Sequence, residues 1–247
     1  MASDRHSRGA GSGRRFQFGR GFTSLRIYNY RLFWLGQLVS LTGTWMQRLA
    51  QAWLVLKLTS SPFALGMVST LQFLPVTLFS LYGGVIADRF PKRRLLLVTQ
   101  SVAAAQAVVM ATLTMFGLIT MWEIYVLAAL LGLVTAFNAP ASQSFPVELV
   151  GREEVANAVA LNSTLFNATR VAGPSLAGLT IATIGVVGCF WLNAISFLAV
   201  IGGLLLMDPK KFFPGRPIKR GNVLGQIGEG VRYAVATPDA AFPLILM

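Results

Sequence analysis

Gly84-Val85-Ile86-Ala87-Asp88-Arg89-Phe90-Pro91-Lys92-Arg93-Arg94 is a short charged turn between two long apolar runs. Its side chains suit charge pairing at a membrane face rather than bond-breaking chemistry. One carboxylate, Asp88, stands among Arg89, Lys92, Arg93 and Arg94, and Gly84 precedes it at a spacing that a bare loop does not need. Basic residues in a turn between two apolar runs mark the cytoplasmic side of a membrane.

A second set of residues lies inside the apolar runs. Gln37, Ser40, Thr44, Gln47, Arg48 and Gln51 recur at intervals of three and four in the first run, which puts them on one face of a helix. Thr135, Asn138 and Ser142 repeat the pattern in the fourth run, and Ser163, Asn167 and Arg170 in the fifth. Polar groups are costly inside a bilayer, so each stripe faces either a wet cavity or another helix. Three such stripes favour a shared cavity. Arg48 and Arg170 also need partners at that depth: a carboxylate, backbone carbonyls or water. Attraction of an anion and a switching role are one reading; a cap on helix carbonyls or an ion pair with another helix is the other. No Asp or Glu falls in the middle of any run. Asp88, Glu123 and Glu148 stand near the ends and His6 in the N-terminal tail, so no buried titratable group offers itself as a proton relay. The chain has no nucleotide-binding Gly-rich loop, no metal-ligand cluster and no nucleophile–base pair. An enzyme is therefore not expected, nor a cofactor or a metal site.

The elements that must hold these residues follow from composition. The 247 residues are 54% hydrophobic and 12% charged, about half the charge of a soluble domain. Six runs, at 32–56, 63–87, 95–117, 122–145, 155–184 and 186–207, each reach the roughly 20 residues that a membrane-spanning helix requires. They are continuous rather than alternating, which argues for an all-α protein over a β-barrel. The net charge of +12 would suit nucleic acid in a soluble protein. Here 18 of the 21 Lys and Arg gather in the N-terminal tail, the turns at 88–94 and 148–154, and the stretch after 207. That is the positive-inside pattern of a multi-pass membrane protein with a cytoplasmic N-terminus, and nucleic acid is not expected as a partner. The turns at 60–62, 117–121 and 183–188 then lie outside. Trp122 and Tyr125 fit an outer aromatic belt, or equally a packing role. A single cysteine, Cys189, excludes a disulfide within the chain, and the first run starts too late and runs too long for a cleaved signal peptide.

These patterns divide the chain into a basic cytoplasmic tail (1–31) that meets anionic headgroups, a six-helix bundle (32–207), a basic linker rich in Pro and Gly (208–239), and a final apolar stretch (240–247). Residues 223–235 of the linker have the pattern of a short amphipathic helix. The last stretch is expected to begin a truncated seventh helix, the alternative being a tail that touches the membrane surface. Within the fifth run, Pro174 removes a backbone hydrogen bond and bends the helix, while Gly173, Ala177 and Gly178 allow a close neighbour. Pro75 interrupts the second run similarly. Second and fifth runs are then equivalent members of two three-helix inverted repeats.

Together these residues resemble the major facilitator superfamily. Its signature after the second helix reads Gly-x-x-x-Asp-Arg/Lys-x-Gly-Arg/Lys-Arg/Lys. Gly84, Asp88, Arg89, Lys92 and Arg93 match it, with Pro91 in place of the second glycine. The fifth run is similar to the antiporter signature Gly-x-x-x-Gly-Pro-x-x-Gly-Gly through Gly173, Pro174 and Gly178, with Thr169 and Ala177 replacing glycines. The resemblance covers residues 25–207 and implies the N-terminal six-helix half of a twelve-helix fold around a central cavity. It implies that Asp88 and its basic neighbours hold the two halves together on the cytoplasmic side in the outward-facing state, with Glu148 beside Arg89 or Arg93 in a charge network. It associates the bend near Arg170, Gly173, Pro174 and Gly178 with export. The turns look most like those of drug and siderophore exporters. The function implied is secondary active efflux of a small hydrophobic or anionic molecule across the cell (plasma or inner) membrane, by alternating access in exchange for protons. Two other roles compete: a truncated membrane protein that does not transport, and a half-transporter that works only as a dimer or assembly partner. The partners expected are a small-molecule substrate, a coupling proton, the lipid bilayer, and either a missing C-terminal half or a second copy.

Overall fold

A computed structural model describes residues 22–213. Most of the basic tail, the amphipathic pattern at 223–235 and the apolar stretch at 240–247 lie outside the described residues. The described chain is all-helical, without strands: a short 3-10 turn at Thr23–Arg26, then α1 (Tyr28–Thr59), α2 (Pro62–Arg89), α3 (Lys92–Met115), α4 (Met121–Val150) and α5 (Val155–Leu206), with a last 3-10 turn at Pro209–Lys211.

Each boundary has a local cause. Ser60 closes α1 in a left-handed conformation, and the Ser61 side chain then accepts from the Ala64 amide at 3.3 Å with Pro62 in the first turn of α2. Thr120 and Glu123 form a capping box at the start of α4. The charged turn is shorter than the sequence suggests. Asp88 and Arg89 belong to the last turn of α2 and Lys92, Arg93 and Arg94 to the first of α3, which leaves Phe90 and Pro91 as the connection. Pro75 and Pro174 sit inside continuous helical assignments, as do Pro140 and Pro146 in α4.

At about 1.5 Å per residue, the 52 residues of α5 would reach roughly 78 Å, far beyond a hydrocarbon core of about 30 Å. The helix is broken at Gly185, whose φ of 78° and ψ of 179° are tolerated essentially by glycine alone. Cys189 Sγ lies 3.8 Å from the Ala177 carbonyl oxygen. In an unbroken helix those residues would stand roughly 18 Å apart, so the chain folds back and α5 consists of two antiparallel limbs, 155–184 and 186–206.

Four of the helices, α2 to α5, are long and apolar enough to cross a membrane. α1 is equally long but less apolar, because Gln37, Gln47, Arg48 and Gln51 occupy its middle. The protein is thus a multi-pass membrane protein. α1 packs chiefly on α5, α2 on α4, and α3 against α4 and α5. Two apolar clusters close the ends of the bundle. One, at the basic end, contains Phe33, Phe145, Leu149 and Leu204; the other, at the far end, contains Val55, Met110, Ile124 and Phe190. The most apolar stretch of α2 is only 11% buried, against 44% in α3 and α4. α2 is therefore a helix with most of its surface uncovered.

Candidate functional site

Between the two apolar ends lies a cavity of about 310 Å³, walled by all five helices. α1 contributes Ser40, Thr44, Trp45 and Arg48, α2 contributes Gln72 and Phe73, and α3 contributes Thr99 and Gln100. Thr135, Asn138, Ser142 and Gln143 come from α4, and Asn162, Phe166 and Phe197 from α5. Six of the polar residues singled out in the sequence therefore meet at this wall: Ser40, Thr44, Arg48, Thr135, Asn138 and Ser142.

The others go elsewhere. Gln37 turns behind the wall and donates to the Ser142 hydroxyl. Gln47 is fully buried; its Nε2 donates to Gln106 Oε1 at 2.9 Å and its Oε1 accepts from Asn193 Nδ2 at 2.6 Å. Gln51 accepts from Gln72 Nε2 at 3.0 Å. The first-helix stripe thus divides between a cavity face and a set of amide bridges to α2, α3 and α5. Both uses of a polar stripe occur on one helix, which explains why spacing alone left them open. Ser163, Asn167 and Arg170 lie on the exposed surface of the first limb of α5, where Asn167 Nδ2 donates to the Ser163 carbonyl at 2.9 Å.

Aromatic rings organise the arginines. The Arg48 guanidinium lies 4.7 Å from the centroid of the Trp45 ring and 5.9 Å from that of Phe73, and Arg170 approaches the same Trp45 ring at 5.9 Å. Sequence reading missed Trp45, Gln72, Phe73, Gln100 and Asn162. The available signal was the cost of a lone amide in an apolar run, which Gln72 and Gln100 carry without belonging to a stripe.

At the basic end, Lys92 at the start of α3 forms a salt bridge with Glu148 near the end of α4. The sequence resemblance placed Glu148 beside Arg89 or Arg93; the structure gives it Lys92. Arg93 instead donates from Nε to the Leu204 carbonyl at 2.6 Å and from Nη2 to the Leu205 carbonyl at 3.1 Å. It thereby satisfies orphan carbonyls at the C-terminal end of α5. Asp88 is exposed and makes no hydrogen bond or ion pair among the described residues.

The glycines separate by neighbour. A Cβ on Gly173 would strike Trp45, so this glycine seats α5 against α1 beside the arginines. A Cβ on Gly84 or Gly178 would meet open space. Close approach between α2 and α4 is made instead by Gly83 against the Ala136 carbonyl and by Gly132 against the Gln72 carbonyl.

Comparison with known proteins bears on this arrangement. The family described as transmembrane secretion effector, within the major facilitator superfamily, matches residues 20–245. The chain is 29% identical over 173 residues to the staphyloferrin A transporter of Staphylococcus aureus, across 69% of this chain and 44% of that protein. It is 25% identical over 173 residues to macrolide efflux protein A of Streptococcus pyogenes, across 70% and 41% respectively. To the multidrug efflux pump Tap of Mycolicibacterium fortuitum it is 26% identical over 202 residues, across 79% and 49%. The chain spans about half the length of the curated relatives it matches. With the matched stretch taking in every helix described above, the chain belongs to the transmembrane secretion effector family of the major facilitator superfamily, a family of transporters rather than enzymes.

Proposed function

We propose that this chain is one six-span half of a secondary active exporter, which moves a small hydrophobic or anionic molecule out across the plasma membrane by alternating access. The observation that carries this reading is the polar cavity between two apolar ends, to which all five helices contribute. Arg48, Gln72, Gln100 and Asn138 are costly in lipid, and their gathering around one void supports a wet cavity. The relatives named for efflux support the direction.

The two limbs of α5, counted with α1 to α4, support a reading of six spans, and two three-helix inverted repeats are an arrangement that transporters of this superfamily use. Gly84, Asp88 and Gly178 face open space, and α2 and the first limb of α5 are largely uncovered. These features favour a second six-helix unit against this face, either the other half of a longer chain or a second copy. Asp88, Arg89, Lys92, Arg93 and Glu148 would then gate the cytoplasmic side, and Arg170 with the Gly173–Pro174 bend would move against the cavity. Proton exchange is the coupling expected of the family. No described carboxylate lies in mid-helix, so in this reading the titratable group belongs to the second unit.

The test is efflux of Nile red and of fluorescein from energised cells. The chain is expressed alone and with any reading frame that continues past residue 247, each with and without Asp88→Asn. Efflux that Asp88→Asn reduces at least tenfold, and that a protonophore stops, is expected from one of the two forms. Efflux by the chain alone identifies self-pairing, and efflux only by the longer form identifies half of a cavity. Dye retention equal to that of control cells in both forms overturns the proposal.

A further inference from the structure

From the geometry around Trp45 we infer that the cavity holds an anion-recognition subsite, in which Arg48 binds a carboxylate or similar oxyanion attached to a flat apolar body. This deepens the transport reading by naming the substrate class.

The argument begins with how Arg48 is held. Its guanidinium carbon lies 4.7 Å from the Trp45 ring centroid and 5.9 Å from that of Phe73. Cation–π contact holds the guanidinium over a ring face without occupying a hydrogen-bond acceptor. The N–H donors lie in its plane and remain available, in the fork that matches a carboxylate. Arg48 Nε is buried and has no hydrogen-bond partner. Among the described residues Arg48 makes no hydrogen bond or ion pair at all, and the cavity wall holds no Asp or Glu. Arg170, exposed on α5 and outside the cavity wall, approaches the same indole at 5.9 Å from its centroid.

A shielded cation without a counter-charge is an expensive arrangement. Aromatic rings orient it without neutralising it. An oxyanion neutralises it and takes up its donors together, whereas a cationic ligand would meet a like charge. A second lining residue also offers a donor. Asn138 Oδ1 accepts from Thr99 at 2.9 Å and from Gln100 at 3.3 Å, and its amide NH₂ donates to no described residue. Phe166 and Phe197 supply an apolar wall for the ligand's body. A cavity of about 310 Å³ equals roughly ten waters of liquid at about 30 Å³ each. A benzoate-sized anion fits that volume.

The experiment compares salicylate with salicylamide, its neutral counterpart, by calorimetric titration into the full 247-residue chain in lipid nanodiscs. Salicylate is expected to bind at least tenfold more tightly. Arg48→Gln should bring the two within twofold of each other. Arg48→Lys, which keeps the charge but loses the planar fork, should keep less than a third of the preference, and Trp45→Phe should weaken both ligands. Thermal unfolding of each variant identifies those that are folded, and Arg48→Lys with Trp45→Phe carry the test where Arg48→Gln does not fold. Equal binding of the two probes, no binding of either, or a preference that survives undiminished in a folded Arg48 variant overturns the inference. Salicylate preference without dye efflux in cells would retain the subsite and remove the transport reading. Efflux without the preference would do the reverse.

Discussion

Lys92 and Glu148 each stand at the wrong end of their own helix. A lysine at the N-terminus of α3 meets the positive pole of that helix, and a glutamate near the C-terminus of α4 meets the negative pole. Their mutual salt bridge offsets two unfavourable dipole contacts. Their side chains are mostly shielded, at 14% and 21% exposure, so the pair keeps more of its Coulomb attraction than a surface pair does. Glu148→Gln should lower stability by about 1 kcal/mol. Exchanging the charges, Lys92→Glu with Glu148→Lys, restores the pair and also reverses both dipole terms. The exchanged protein should therefore be at least as stable as the original in thermal unfolding of the purified chain. An exchanged protein less stable than Glu148→Gln alone would show that the pair does not hold α3 to α4. The sequence announced that charges gather at this end, since turns between apolar runs are easy to recognise. It did not announce which carboxylate meets which cation. That depends on how α3 and α4 are rotated about their axes, and the rotation is fixed by packing far from the charges.

Helix α2 makes the same point at the level of the element. Its limits were legible to within a few residues, because an apolar run between Ser61-Pro62 and Phe90-Pro91 leaves little choice. Its orientation was not. The signature glycine is Gly84, yet the helix turns Gly83 toward α4, where an added Cβ would fall on the Ala136 carbonyl. Gly132 returns the contact against the Gln72 carbonyl. Backbone atoms of a packed helix cannot step aside as a flexible side chain can. Gly83→Ala should therefore cost about 1–3 kcal/mol. Gly84→Ala enters open space and gains helix propensity, so it should leave stability unchanged or raise it by up to about 1 kcal/mol. Parallel unfolding curves of the two variants check this. A destabilising Gly84→Ala beside a neutral Gly83→Ala would mean that α2 is rotated by one residue. The reversal at Gly185 was more legible, since the fifth and sixth apolar runs abut and a glycine alone stands between them. What the sequence could not separate was the double use of α1. Ser40, Thr44 and Arg48 face the void while Gln47 and Gln51 bridge to other helices, although all five share the spacing of one stripe.

For the whole molecule, the two ends differ in chemistry as well as in packing. The end that gathers Arg89, Lys92, Arg93, Arg94, Arg152, Lys210 and Lys211 is the one the positive-inside rule assigns to the cytoplasm. The far end carries Ser60, Gly117 and Gly185 at its turns and no basic residue within them. The positive-inside rule therefore makes a definite expectation of sidedness. The chain lends itself to a direct measurement, because Cys189 is its single cysteine and is buried. In a Cys189→Ser background, Leu118→Cys places a thiol in the far-end turn and Phe90→Cys places one in the basic-end turn; both native side chains are well exposed. A membrane-impermeant maleimide applied to right-side-out vesicles should label position 118 at once and position 90 only after the membrane is opened. The parent chain, with Cys189 packed beside Ala177 and Phe190, should stay unlabelled in both conditions. Labelling of position 90 from outside with protection of position 118 would invert the molecule.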